Sequence, residues 1–79
     1  MALRQTLAEN LKGARVAAGL SQEELADAAG IDRTYVSALE RCRYSVSIDV
    51  LERLATALRV TPASLLADVE DVSANVADT

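Results

Sequence analysis

Leu3, Leu7, Leu11, Ala14 and Ala18 recur at intervals of four, four, three and four residues, the spacing of a single α-helical face. The pattern predicts a first helix with that face buried, ended at Gly19. A second, shorter stripe begins at Leu25 and continues through Ala28 or Ala29 before Gly30 interrupts it. Val36 and Leu39 mark a third helix, with Arg33, Thr34 and Ser37 left on its outer side. After the aperiodic segment CRYSVS, Ile48, Leu51, Leu54 or Ala55, and Leu58 mark a fourth. A fifth opens at Thr61-Pro62 and buries Leu65 or Leu66. The predicted class is all-α, a compact arrangement of five helices without strands.

The residues at the predicted ends agree with these boundaries. Ser21 followed by Glu24 is a capping box, in which each side chain satisfies a free backbone N–H of the opening turn. Asp32, Ser47 and Thr61 each stand where a side-chain oxygen caps the helix that follows, and Asp49 adds a favourable negative charge to the fourth helix's first turn. Ala26, Gly30 and Val36 are small where the second and third helices meet. That is the requirement of two short helices crossing at ~90–120° through a tight turn, the helix-turn-helix arrangement.

The stretch LSQEELADAAGIDRTYVSALER resembles the motif of the lambda-repressor and Cro-like family, also called the XRE family, with similarity running from about Leu7 to Leu66. Within it, DRTYVSALER followed by RYSVS looks most like the controller proteins of restriction–modification systems. The resemblance implies a sequence-specific DNA-binding transcription regulator, acting as a homodimer on palindromic operator DNA, with no cofactor and no small-molecule substrate. It also implies that Gln22 lies at the DNA surface and that Arg15 pairs with Glu40, where the residues alone would leave two separate solvated charges. An antitoxin-like or adaptor module of the same fold is the alternative, because fold alone does not decide function.

Arg33 and Thr34 open the third helix, the position from which side chains reach base edges, and an arginine there opposes the helix dipole. Tyr35 either fills core space or extends its hydroxyl toward the DNA backbone. Ser37, one turn on, either touches the duplex or is simply solvated. Arg41 and Arg43 follow the helix and read as phosphate contacts, whereas Tyr44 and Ser45 depart from the basic or Asn residues frequent in the family. Cys42 replaces the family's common glycine. Between two arginines its thiolate is favoured, although a lone cysteine is ordinarily a small, partly buried side chain. Val60, Leu65, Leu66 and Val69 exceed the apolar needs of so small a monomer and are expected to form a two-fold contact.

Composition sharpens this reading in three ways. The 79 residues include no histidine and one cysteine, which excludes Cys/His metal sites and imidazole-based catalysis, so no enzyme is expected. No apolar run is long enough to span a bilayer, and the N-terminus lacks a signal-peptide layout, so a cytoplasmic protein is expected. The net charge of −4 argues against DNA until position is considered. All eight basic residues precede Leu66, whereas Asp68, Glu70, Asp71 and Asp78 crowd the end. Residues 1–67 are therefore read as a neutral DNA-binding domain carrying a local positive surface. Residues 68–79 are read as an acidic tail in which Val69, Val72 and Val76 keep helical spacing.

Overall fold

A computed structural model describes residues 3–67 of the chain. Five helices follow in order: α1 (Leu3–Ala17), α2 (Gln22–Ala29), α3 (Arg33–Glu40), α4 (Ile48–Leu58) and α5 (Pro62–Leu65). No strand occurs among the described residues. The expected acidic tail, Val69 included, lies outside them.

One core joins all five helices. Leu7 and Leu11 of α1, Leu25 and Ala26 of α2, Val36 and Leu39 of α3, Leu51, Leu54 and Leu58 of α4, and Leu65 of α5 are buried in a single cluster. Each large aliphatic side chain contributes about 1.5–3 kcal/mol by leaving water, so five short helices hold together that would be marginal alone. Asn10 of α1 adds a polar tie. Its side-chain amide donates to the carbonyls of Leu65 at 3.0 Å and Ala67 at 2.7 Å, satisfying the end of α5.

Helix starts follow the expected caps. Ser21 and Glu24 form both halves of the capping box, and Asp32, Ser47 and Thr61 accept from Thr34, Val50 and Ser64 backbone N–H groups. The helix ends share one geometry. After α1, α2, α3 and α4 the chain turns through a left-handed residue, at Gly19, Gly30, Cys42 and Arg59. In each case a pair of reversed hydrogen bonds closes the helix, such as Ile31 N–H to Ala26 O and Gly30 N–H to Asp27 O. Gly30 takes its φ of 71° without the strain that a side chain carries in that conformation. A Cβ there would meet nothing closer than the Arg53 guanidinium at 3.9 Å, so the tight helix crossing inferred from sequence is not what selects glycine.

Four apolar positions differ from expectation, the first being Ala18, which ends the predicted buried face but lies in the turn beyond α1 and is exposed. Leu3 begins the predicted buried face of α1 yet stands 58% exposed, because the first turn of the helix projects beyond the core. Ile48, at the first position of α4, is 78% exposed for the same reason. Leu65, expected at a contact between protomers, is 1% exposed inside its own core and has no surface to offer a partner. No helix among the described residues is long and apolar enough to cross a membrane.

Candidate nucleic-acid interface

The third helix is held from behind by charge and presents charge in front. Behind it, Arg15 of α1 forks onto Glu40 at the end of α3, with Nε donating to Oε2 at 2.7 Å and Nη2 to Oε1 at 3.1 Å. The third nitrogen, Nη1, donates to the Leu20 carbonyl at 2.8 Å, so one guanidinium ties α1, the α1–α2 turn and α3 together. The hydrogen bond to Glu40 is the main reason the Arg15 pKa is raised, with the carboxylate's charge adding to it and desolvation opposing it. Gln22, in the first turn of α2, donates its amide to Glu40 Oε1 at 3.1 Å. One amide hydrogen is thereby committed, and one remains for another acceptor.

In front, Asp32 organises the opening turn of α3. Its Oδ1 accepts both the Thr34 N–H at 2.8 Å and the Thr34 hydroxyl at 2.7 Å. These two bonds hold the Asp32 carboxyl below the ordinary carboxylate range, the backbone bond first and the hydroxyl bond second. The Thr34 hydroxyl has given its hydrogen away, so toward solvent it presents lone pairs and a methyl group. Arg33 beside it is exposed, and its guanidinium makes no hydrogen bond or ion pair among the described residues, although its charge acts on the Asp32 carboxyl.

The remaining candidates lie along the same helix and the loop after it. Ser37 is half-buried, and Arg41 and Arg43 are exposed and without partners among the described residues. Tyr35 combines its two anticipated roles in part: its ring packs at the edge of the core, and its hydroxyl donates to the Ser45 carbonyl at a long 3.4 Å. The Tyr44 ring stands edge-on to it, with centroids 6.4 Å apart and planes at 83°. Arg4, to which no sequence pattern gives a role, donates its Nη2 to Ser45 Oγ at 3.0 Å and so anchors this loop to α1. The separation of 41 residues explains why no local pattern announced the contact. The expected dimer residues are scattered: Val60 is exposed after α4, Leu66 is half-buried, and Leu65 is in the core.

A sequence profile described as helix-turn-helix matches residues 11–65. A Neisseria hypothetical transcription factor from Neisseria meningitidis is 45% identical over 80 residues, covering 98% of this chain and 76% of its own. A crystal structure of the hypothetical transcription factor NHTF from Neisseria matches with a TM-score of 0.84 at 46% identity, covering 89% of this chain and 80% of that one. The control protein C.SmaI of Serratia marcescens is 39% identical over 66 residues, covering 84% of this chain and 79% of its own. The restriction–modification controller C.AhdI of Aeromonas hydrophila superposes with a TM-score of 0.76 at 42% identity, covering 78% of this chain and 94% of that one. The chain belongs to the helix-turn-helix family of DNA-binding transcription regulators, proteins that carry out no catalysis.

Proposed function

We propose that the chain binds a palindromic operator as a homodimer and regulates transcription from it. The observation that carries the reading is α3 itself: a capped start where Arg33 is exposed with its guanidinium in no hydrogen bond or ion pair among the described residues, and a far end clamped by Arg15 on Glu40. A guanidinium held at the tip of a braced helix suits bidentate donation to guanine O6 and N7 in the major groove. Thr34, with lone pairs and a methyl outward, suits an adenine or cytosine amino group or a thymine methyl. Arg41, Arg43 and the free amide hydrogen of Gln22 suit backbone phosphates, and Ser37 lies within the same surface.

One such helix touches too few base pairs to select an operator, which favours two copies with their α3 helices ~34–36 Å apart. Support for self-association comes from an apolar groove lined by Leu3, Leu7, Val46, Ile48, Leu51 and Leu66. Leu3 and Ile48 on its rim are among the most exposed large apolar side chains of the described residues. A second copy covering this groove buries Leu66, as anticipated from sequence, with Ile48 and Leu3 replacing Leu65.

Similarity to C.SmaI and C.AhdI favours control of a restriction–modification operon, and a neighbouring methyltransferase or nuclease gene is the sign of it. The test is an electrophoretic shift with DNA from upstream of the chain's own gene, against excess unrelated duplex. A discrete complex that survives the competitor supports the reading, and equal competition by unrelated duplex overturns it.

A further inference from the structure

Past the opening turn of α3, the helix and the loop after it enclose a shallow cleft lined by Thr34, Tyr35, Ala38, Arg41, Tyr44 and Ser45. Tyr44 forms one wall. The residue is 62% exposed, and its ring rests on the fold through the edge-on contact with Tyr35, so packing accounts for little of its surface. The Tyr35 hydroxyl is turned to the Ser45 carbonyl, and the Thr34 hydroxyl has given its hydrogen to Asp32. Three side-chain donors of the cleft remain uncommitted among the described residues: the Arg41 guanidinium, the Tyr44 hydroxyl and the Ser45 hydroxyl, whose oxygen accepts from Arg4 while its hydrogen stays free. No carboxylate lines the cleft. An opening whose free polar groups are a cation and two neutral O–H donors, with the nearby Asp32 oxygen already occupied by Thr34, suits an acceptor-rich anionic group.

We propose that the cleft seats a phosphate of the DNA backbone, Arg41 supplying the charge and Tyr44 a neutral hydrogen bond, which makes Tyr44 a positioning residue for α3. The proposal rests on the DNA-binding reading above and adds a residue that the family pattern does not supply. The site is prepared in advance of binding. Arg4 fixes Ser45 from α1, and Tyr35 fixes the same residue from α3, so the loop that carries Tyr44 is tied at its neighbour from two sides. Because the contact is to phosphate, it carries no sequence information, and because the donor is neutral, it releases no counterion of its own.

The experiment compares the full chain with Tyr44→Phe, Tyr44→Ala and Arg41→Ala, on the operator, on its single-base variants and on an unrelated duplex, across a range of salt. Tyr44→Phe keeps the ring and its contact with Tyr35, so its thermal midpoint is expected to match the parent. Its affinity is expected to fall about three- to tenfold on every duplex, with the slope against salt unchanged. Tyr44→Ala should fall further, and Arg41→Ala should lower the slope by about one unit. Parental affinity for Tyr44→Phe, a loss confined to one base pair, or an altered salt slope in Tyr44→Phe overturns the assignment. A parent that binds every duplex alike, but with this dependence on Tyr44, overturns operator selection and retains the phosphate cleft. A parent that binds no duplex overturns both.

Discussion

Arg15 and Glu40, 25 residues apart, meet in a two-point ion pair whose side chains are 13% and 4% exposed. The pair joins α1 to the C-terminal end of α3, the helix whose first residue is Arg33. Gln22 brings α2 to the same carboxylate. Removing Arg15 strands Glu40 with one neutral donor. Arg15→Ala is expected to cost about 3 kcal/mol, toward the lower end for a buried pair because Gln22 remains. Arg15→Lys should rescue little, since an ammonium cannot bridge both carboxylate oxygens and the Leu20 carbonyl. Urea unfolding measures this, and a loss under about 1 kcal/mol, the range of solvated pairs, contradicts it.

Arg33 and Arg43 are both exposed cations, and the proposed function separates them. Arg33→Ala should cost ~1–3 kcal/mol on the operator and relax preference at one base pair per half-site. Arg43→Ala should weaken all duplexes alike and reduce the salt slope by about one. Binding titrations over single-base variants distinguish the two, and exchanged behaviours would reverse the roles.

The apolar groove gives a prediction about assembly. Ile48 contributes little to the monomer at 78% exposed, so Ile48→Asp should change monomer stability by no more than about 0.5 kcal/mol. Across a two-fold axis the same carboxylate is buried without a partner and the dimer is lost. Operator affinity is then expected to fall about 100-fold as linked half-site binding disappears. Sedimentation and gel shift together check this. A monomeric parent at high micromolar concentration, or a variant that keeps full affinity, rules the groove out as the interface.

The features legible in the sequence were those written within a few residues. The capping box at Ser21 and Glu24, the caps at Asp32, Ser47 and Thr61, and the stop at Gly30 depend on neighbours along the chain, and local spacing reveals them. Periodicity also located the stripes, but it does not tell where a stripe runs past the core. Leu3 and Ile48 keep the helical phase and still face solvent because they occupy first turns. Leu65 and Leu66 are adjacent, and only the packing of α5 decides which is buried. Arg4 and Tyr44 acquire meaning through contacts with Ser45 and Tyr35 made across the loop, to which neither periodicity nor capping rules refer.

Asp32 links the site to pH. Its folded pKa is depressed by the Thr34 N–H and hydroxyl, so its contribution to stability is present above the unfolded carboxylate value of about 3.9 and is lost as pH falls through the lower folded value. Asp32→Asn keeps a capping oxygen but cannot titrate. Its thermal midpoint should lie a fixed amount below the parent's above about pH 5, with the gap closing below about pH 4. A gap that stays constant down to strongly acidic pH would show that the carboxylate's charge is not what matters.

Cys42 closes α3 with a φ of 62°. Arg43 N–H bonds to Ala38 O at 2.8 Å and Cys42 N–H to Leu39 O at 3.1 Å, the same closure that Gly30 provides for α2. At Gly30 the left-handed conformation is free of steric penalty. At Cys42 the Cβ crowds its own carbonyl, at ~1–2 kcal/mol. Glycine at this position removes that strain and gives back part of the gain through the greater freedom of the unfolded chain, so Cys42→Gly should stabilise by about 0.5–1 kcal/mol. Arg59, with a φ of 60° after α4 and no side-chain partner among the described residues, is an independent second case of the same geometry. For a chain of this size the gain corresponds to a rise of roughly 2–8 °C in thermal midpoint for each substitution. The two should add, because they close different helices. Calorimetry on the single and double variants reads this directly. A rise at Arg59→Gly without one at Cys42→Gly would mean that the thiol's contact with the apolar groove, which Cys42 lines, outweighs the strain of its backbone.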